Sequence, residues 1–194
     1  MDLNLEQEVY LKTHLRDLKK IERIVEVAIK FTELFNQQFG KNISKNTIKL
    51  AAYVMEIGQS HPNISYIYEE NYNWKEHKDA ISLNETFGEY SVQMAESQGI
   101  FLTDEIKEAI IAIPKRKYPN NIALILKTAS VYAAMEHERI YRGEKKVAAK
   151  SFLEIEEALR NNGITEEMID LAKKFYTSMN TVYYIVFTDG NDPK

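Results

Sequence analysis

The sequence predicts an all-α fold, a compact bundle of about seven helices, on three observations. Apolar residues return at steps of three and four through most of the chain. Only 7 glycines and 4 prolines interrupt 194 residues, too few for a β fold built on many tight turns. Hydrophobic residues at 44% and charged residues at 28% give the balance of a globular chain able to bury a core, read here as one domain over 1–194.

The first helical pattern is long. Leu11, Leu15, Leu18, Ile21, Val25, Ile29, Leu34 and Phe35 keep one face apolar, and Gly40 follows as a left-handed cap. Ser44 is placed to cap a second helix carrying Ile48, Leu50, Ala51, Val54 and Met55, closed by Gly58. From Gln59 to Ala80 the spacing fails. His61, Tyr66, Tyr68, Tyr72 and Trp74 stand there in a long loop, read either as a stacking or interface surface or as a lid over the core. Helical spacing resumes over 82–97, and Thr103-Asp104-Glu105 opens a helix running to Ile113. Lys115-Arg116-Lys117 make a basic turn between Pro114 and Pro119. Further helices are predicted over 122–138, 145–161 and 165–184. The apolar segment Val182–Phe187 is either the last turn of a buried helix or, if it leaves that helix, a contact for a homodimer.

The composition excludes several function classes. A net charge of −4 gives no general attraction to nucleic acid. The absence of cysteine removes disulfides, thiolate metal sites and cysteine nucleophiles. No apolar run approaches the roughly 20 residues that span a bilayer, and the polar, acidic N-terminus is unlike a secretory signal. No membrane association and a cytoplasmic location are expected.

Two stretches carry more than periodicity. Val131-Tyr132-Ala133-Ala134-Met135-Glu136-His137-Glu138-Arg139-Ile140-Tyr141-Arg142, with Ala148 and Ala149 after it, resembles the "DvydALtsdRpYR…A" signature of the HD-GYP branch of the HD phosphohydrolases. Leu50-Ala51-Ala52-Tyr53-Val54-Met55-Glu56-Ile57-Gly58-Gln59 resembles that family's "AALLHDIGK" box. Between them, Phe87-Gly88-Glu89-Tyr90 sits where the family has "HPeyG", and Lys117-Tyr118-Pro119 where "GYP" falls. The resemblance covers about 20–175 and implies an HD-domain-like helical fold. In the family, that fold holds two or three Fe- or Mn-type ions and hydrolyses cyclic di-GMP.

The departures fall on the ligands. The HD pair reads Met55-Glu56, the next histidine position falls near Asn84, and the signature aspartate is Ser130. The lysine after the box is Gln59, the double histidine before "GYP" falls near Ile113-Pro114, and 22–25 hold no histidine. Metal-assisted hydrolysis needs imidazoles and carboxylates converging at about 2.0–2.3 Å, and a Met thioether is too soft a ligand to stand in. Met55, Glu56, Gln59, Asn84 and Ser130 are therefore read as a vestigial cleft without metal or cofactor. There, Met55 fills the core and Glu56 bonds Asn84 or Ser130, or simply ends its helix.

Arg139, Tyr141 and Arg142, with Lys115, Arg116 and Lys117, are the candidate phosphate- or ligand-binding set, because arginine forks match phosphate oxygens. The competing reading has Arg139 and Tyr141 only stabilising the turn before Gly143. His14, His61, His77 and His137 are expected on solvated helix faces or in the loop, or else as a relocated metal site with Glu56, Asp79 or Glu136.

The resemblance thus implies a catalytically inactive module of bacterial signalling, working through a protein partner or by sensing a ligand. Two alternatives remain: a cyclic di-GMP or nucleotide phosphohydrolase with a rebuilt metal site, and a cyclic-dinucleotide-binding protein without hydrolysis.

Overall fold

The computed structural model describes residues 3–69, 72, 79–136, 139–141, 144–146, 149 and 151–188, with side chains described outside the two strands and as far as residue 178. Among these residues the order is α1 (Leu5–Thr13), α2 (Leu18–Phe39), α3 (Lys45–Ile57), α4 (Ala80–Glu85), α5 (Phe87–Ser97), α6 (Asp104–Ala112), α7 (Asn121–Met135), β1 (Arg139–Tyr141), β2 (Glu144–Lys146), α8 (Phe152–Asn161) and α9 (Glu166–Thr188). The fold is an all-α bundle apart from one short hairpin. Nine described helices stand against about seven expected because two of the expected runs break.

The first break falls at residues 14–17. Apolar spacing runs straight through Leu15 and Leu18, but the Asp17 carboxylate accepts from the Lys20 amide at 2.9 Å and starts a new helix. α1 has its own start, a reciprocal cap between Asn4 and Gln7. The second break is at Thr86, whose hydroxyl donates to the Leu83 carbonyl at 2.7 Å and separates α4 from α5.

Other ends lie where the sequence places them. Gly40 caps α2 at φ 61°, and the Ser44 hydroxyl accepts from the Thr47 amide at 3.0 Å. Thr103 caps α6 through the Ile106 amide.

The helix expected from Lys145 begins only at Phe152. Residues 144–146 pair antiparallel with 139–141, Arg139 opposite Lys146, so their backbone groups serve a ladder instead of a helix. The Ala149 amide then donates to the Met135 carbonyl at 2.7 Å and returns the chain to the end of α7. The segment Val182–Phe187 lies within α9, not in a strand.

α7 is the central helix. Ile122, Ala123, Ile125, Leu126, Ala129, Val131, Tyr132 and Ala133 are all buried, so it is apolar nearly all round. α2 packs along it and α3 along α2, while α5 and α6 close one side and α8 and α9 the other. Phe31 of α2, Tyr132 of α7 and Phe175 of α9 meet edge to face at centroid distances of 5.7, 5.2 and 5.2 Å. Each such pair contributes about 1 kcal/mol beyond the area it buries. The segment after α3 is not a free loop: two 3-10 turns shape it, and Ile64 and Ile67 are fully buried. Among the described residues no helix is long and apolar enough to cross a membrane.

Candidate functional site

The C-terminal end of α3 joins a dry contact to a charged one. On the dry side Met55 is 1% exposed, filling the core as its adaptable shape allows. Ser91 of α5, fully buried, accepts from the Gly58 amide at 2.9 Å and donates to the Met55 carbonyl at 3.0 Å. One hydroxyl thus bonds two backbone groups at the helix end, where the Gly58 amide also reaches the Glu56 carbonyl. A Cβ on Gly58 would lie 2.1 Å from the Phe87 carbonyl oxygen, so α5 crosses here at backbone distance. Gly88 repeats the device against α6, where a Cβ would lie 2.5 Å from the Ile110 carbonyl oxygen.

On the charged side Glu56 bonds neither Asn84 nor Ser130. Its Oε2 accepts from Lys20 Nζ at 2.9 Å and from Gln59 Nε2 at 2.7 Å. One turn further along α2, Arg23 forks onto Glu136 at the end of α7, with Nε and a terminal nitrogen at 2.7 and 2.6 Å from its two oxygens. The other terminal nitrogen reaches Glu26 at 2.7 Å. The Glu136 bonds raise the Arg23 pKa above its ordinary value; partial burial opposes them and Glu26 adds to them. Beside this pair the Tyr132 phenol is pushed well up, chiefly by burial and then by the Glu136 charge, with Arg23 pulling the other way.

The remaining cleft positions are engaged separately. Asn84 Oδ1 accepts from the Tyr68 hydroxyl at 3.0 Å, and Arg16 donates to the Tyr68 carbonyl at 2.8 Å. Ser130 is half-buried on α7. In the basic turn, Lys115 Nζ donates to Glu89 at 2.5 Å, and the second Glu89 oxygen is buried without a partner. Arg116, at φ 56°, and Lys117 are exposed. Arg142 lies outside the described residues, as do the side chains of Arg139 and Tyr141.

Two histidines can be placed. His14 is not on a solvated face: it ends α1, half-buried, its ring N–H donating to the Tyr10 carbonyl at 2.9 Å. His61 stacks on Tyr90 at 3.9 Å and accepts from the Asn63 amide. His77, His137 and Trp74 lie outside the described residues. Among the described residues no three His, Asp or Glu side chains gather as a metal ion requires.

The donor set does not fit the ions that the resemblance implies. Met55 is core, Asn84 is bonded to Tyr68, Ile113 and Pro114 offer no ligand atom, and the carboxylates of Glu56 and Glu136 are met by Lys20 and Arg23.

Known families, curated proteins and solved structures give no match to this chain. The site rests on its own geometry.

Sequence reasoning missed Lys20, Arg23, Ser91 and Arg16. The Lys20–Glu56 and Arg23–Glu136 pairs are 36 and 113 positions apart, beyond any local pattern. Ser91 carried a faint signal, a small polar residue one turn from Phe87 and Gly88 on an inward face.

Proposed function

We propose that this chain is a non-catalytic module of the HD-GYP type, acting through a protein partner or by sensing a ligand. The observation that carries this reading is the pairing of Glu56 with Lys20. The carboxylate standing where the family has its bridging aspartate is neutralised by an ammonium of the protein itself. Arg23, in the stretch where the family's first histidine belongs, serves Glu136 in the same way. At Glu56 a lysine of the protein supplies the positive charge that a metal ion would supply in the family, and an ammonium is not the Lewis acid that activates a water for attack.

Metal analysis of the purified chain with a cyclic di-GMP phosphodiesterase assay tests this. Neither stoichiometric Mn or Fe nor turnover is expected. Bound metal together with turnover that Glu56→Ala abolishes overturns the reading.

Binding of a cyclic dinucleotide without hydrolysis is the second reading, favoured by the exposure of Arg116 and Lys117 beside the paired Lys115. Calorimetric titration with cyclic di-GMP decides it: heat lost in Arg116→Ala supports binding there, and no heat, or heat unchanged by that substitution, removes it.

A further inference from the structure

A second place in the molecule has the makings of a binding site, and it shares no residue with the cluster around Glu56. Between α1 and α3 lies a cleft of about 300 Å³. This is at the lower end of the size range of small-molecule sites. Its apolar walls are Leu3, Leu11, Leu50 and the Tyr53 ring. Leu11 and Leu50 also belong to the core, 1% and 6% exposed, so these walls are fixed.

The helix that forms one side is tied at both ends. Near its start, Gln7 Nε2 donates to the carbonyls of Gln98 and Gly99 at 3.4 and 3.2 Å. At its finish, the Ser60 hydroxyl donates to the His14 carbonyl at 2.6 Å. The cleft is therefore set before anything enters it, and an occupant has little ordering cost to overcome.

Its polar lining is lopsided. Lys12 and Lys49, from the two opposite helices, both line it, and neither has an ion pair or hydrogen bond among the described residues. Glu8 is the single acid of the lining, which leaves a surplus of one positive charge. That surplus suits a monoanion better than a phosphate dianion. Tyr53, whose pKa is raised chiefly by burial and then by the Glu22 and Glu8 charges, offers an anion no cation, so an anionic head belongs at the lysines.

We infer that the α1–α3 cleft binds a small amphipathic carboxylate, its apolar body against Leu11, Leu50 and Tyr53 and its head at Lys12 and Lys49. A short- to medium-chain aliphatic acid has this chemistry.

Calorimetric titration of the full chain with octanoate tests it, with octylammonium and acetate as comparison ligands. Octanoate should bind at one saturable site and weaken with added salt, whereas octylammonium, with the same tail, and acetate, without one, should not bind. Lys12→Gln with Lys49→Gln, both exposed positions, should weaken octanoate about tenfold, about 1.4 kcal/mol, while leaving helicity by circular dichroism unchanged. No saturable octanoate binding, equal binding of octylammonium, or affinity unchanged in the double variant overturns the inference. None of these outcomes depends on whether the chain is of the HD-GYP type.

Discussion

The two sides of the α3 terminus solve different problems with neighbouring residues. Gly58 faces the α5 backbone, where the contact is made by shape and a single buried hydroxyl. Glu56, two positions earlier, faces α2, where the contact is made by charge at a Lys20 side chain 35% exposed. Shape at backbone distance has no slack, because moving either helix opens a close-packed contact and breaks the Ser91 bonds across it. The ion pair buries its carboxylate, Glu56 being 11% exposed, but its Lys20 end keeps water and side-chain freedom to absorb a change. The first side should therefore govern stability, and the second the electrostatics of the surface above it.

Gly58→Ala puts that contrast to its hardest test. Its φ of −60° is ordinary for alanine, so only the lack of space forbids the methyl group. A loss of about 3 kcal/mol in urea unfolding is expected. Gly40→Ala is the converse, with open space around it but φ at +61°, and should lose only about 1 kcal/mol. Equal losses at the two positions would break the distinction between space and conformation.

Ser91→Ala should lose about 2 kcal/mol by the same measurement, since it removes two buried hydrogen bonds, to the Gly58 amide and to the Met55 carbonyl. Lys20→Met, on the charged side, should lose less than Ser91→Ala, because Gln59 keeps its bond to the buried Glu56 carboxylate, and should show reduced salt dependence. A loss at Lys20 as large as that at Ser91 would make the charged side structural after all.

Tyr132 links the core to the charged side through pH. Its folded pKa lies above the ordinary 10.0, so the unfolded chain gives up that proton first as the medium becomes alkaline. Stability should be fully present below about pH 10 and fall as the pH rises beyond it, and Tyr132→Phe should flatten that decline.

The smallest effect belongs to Glu33, a half-buried acid whose pKa is lowered mainly by its bond to Lys45. Its contribution should be present at neutral pH and disappear as the pH falls through and below the usual carboxylate range. Lys45→Met should remove that part of the acid-side slope.

The legible parts of the fold were those settled within a few residues. Gly40, Ser44 and Thr103 act on backbone groups close by, and each caps a helix where the spacing puts it. Asp17 was equally local, yet the apolar rhythm through Leu15 and Leu18 masked it, because a helix broken and resumed within four residues can keep its face. The hairpin was hidden for the opposite reason: strands of three residues are too short to display an alternation.

At the site, the sequence could mark Met55 as core filling but could not say what Glu56 would meet. Which cation a carboxylate meets depends on how α2 lies across α3, and that is set by the whole apolar stripe from Ile21 to Phe35.

The contact at Gly58 also constrains how this sequence can drift. Position 58 cannot gain a side chain while α5 keeps its place, and Ser91 cannot lose its hydroxyl without breaking both of its bonds to the end of α3. Thr32 and Thr128 are buried too, but each donates to a carbonyl of its own helix, at 2.7 Å, and can be exchanged for valine alone. Across related sequences, positions 58 and 91 should therefore change as a pair, in company with the start of α5, while 32 and 128 vary independently.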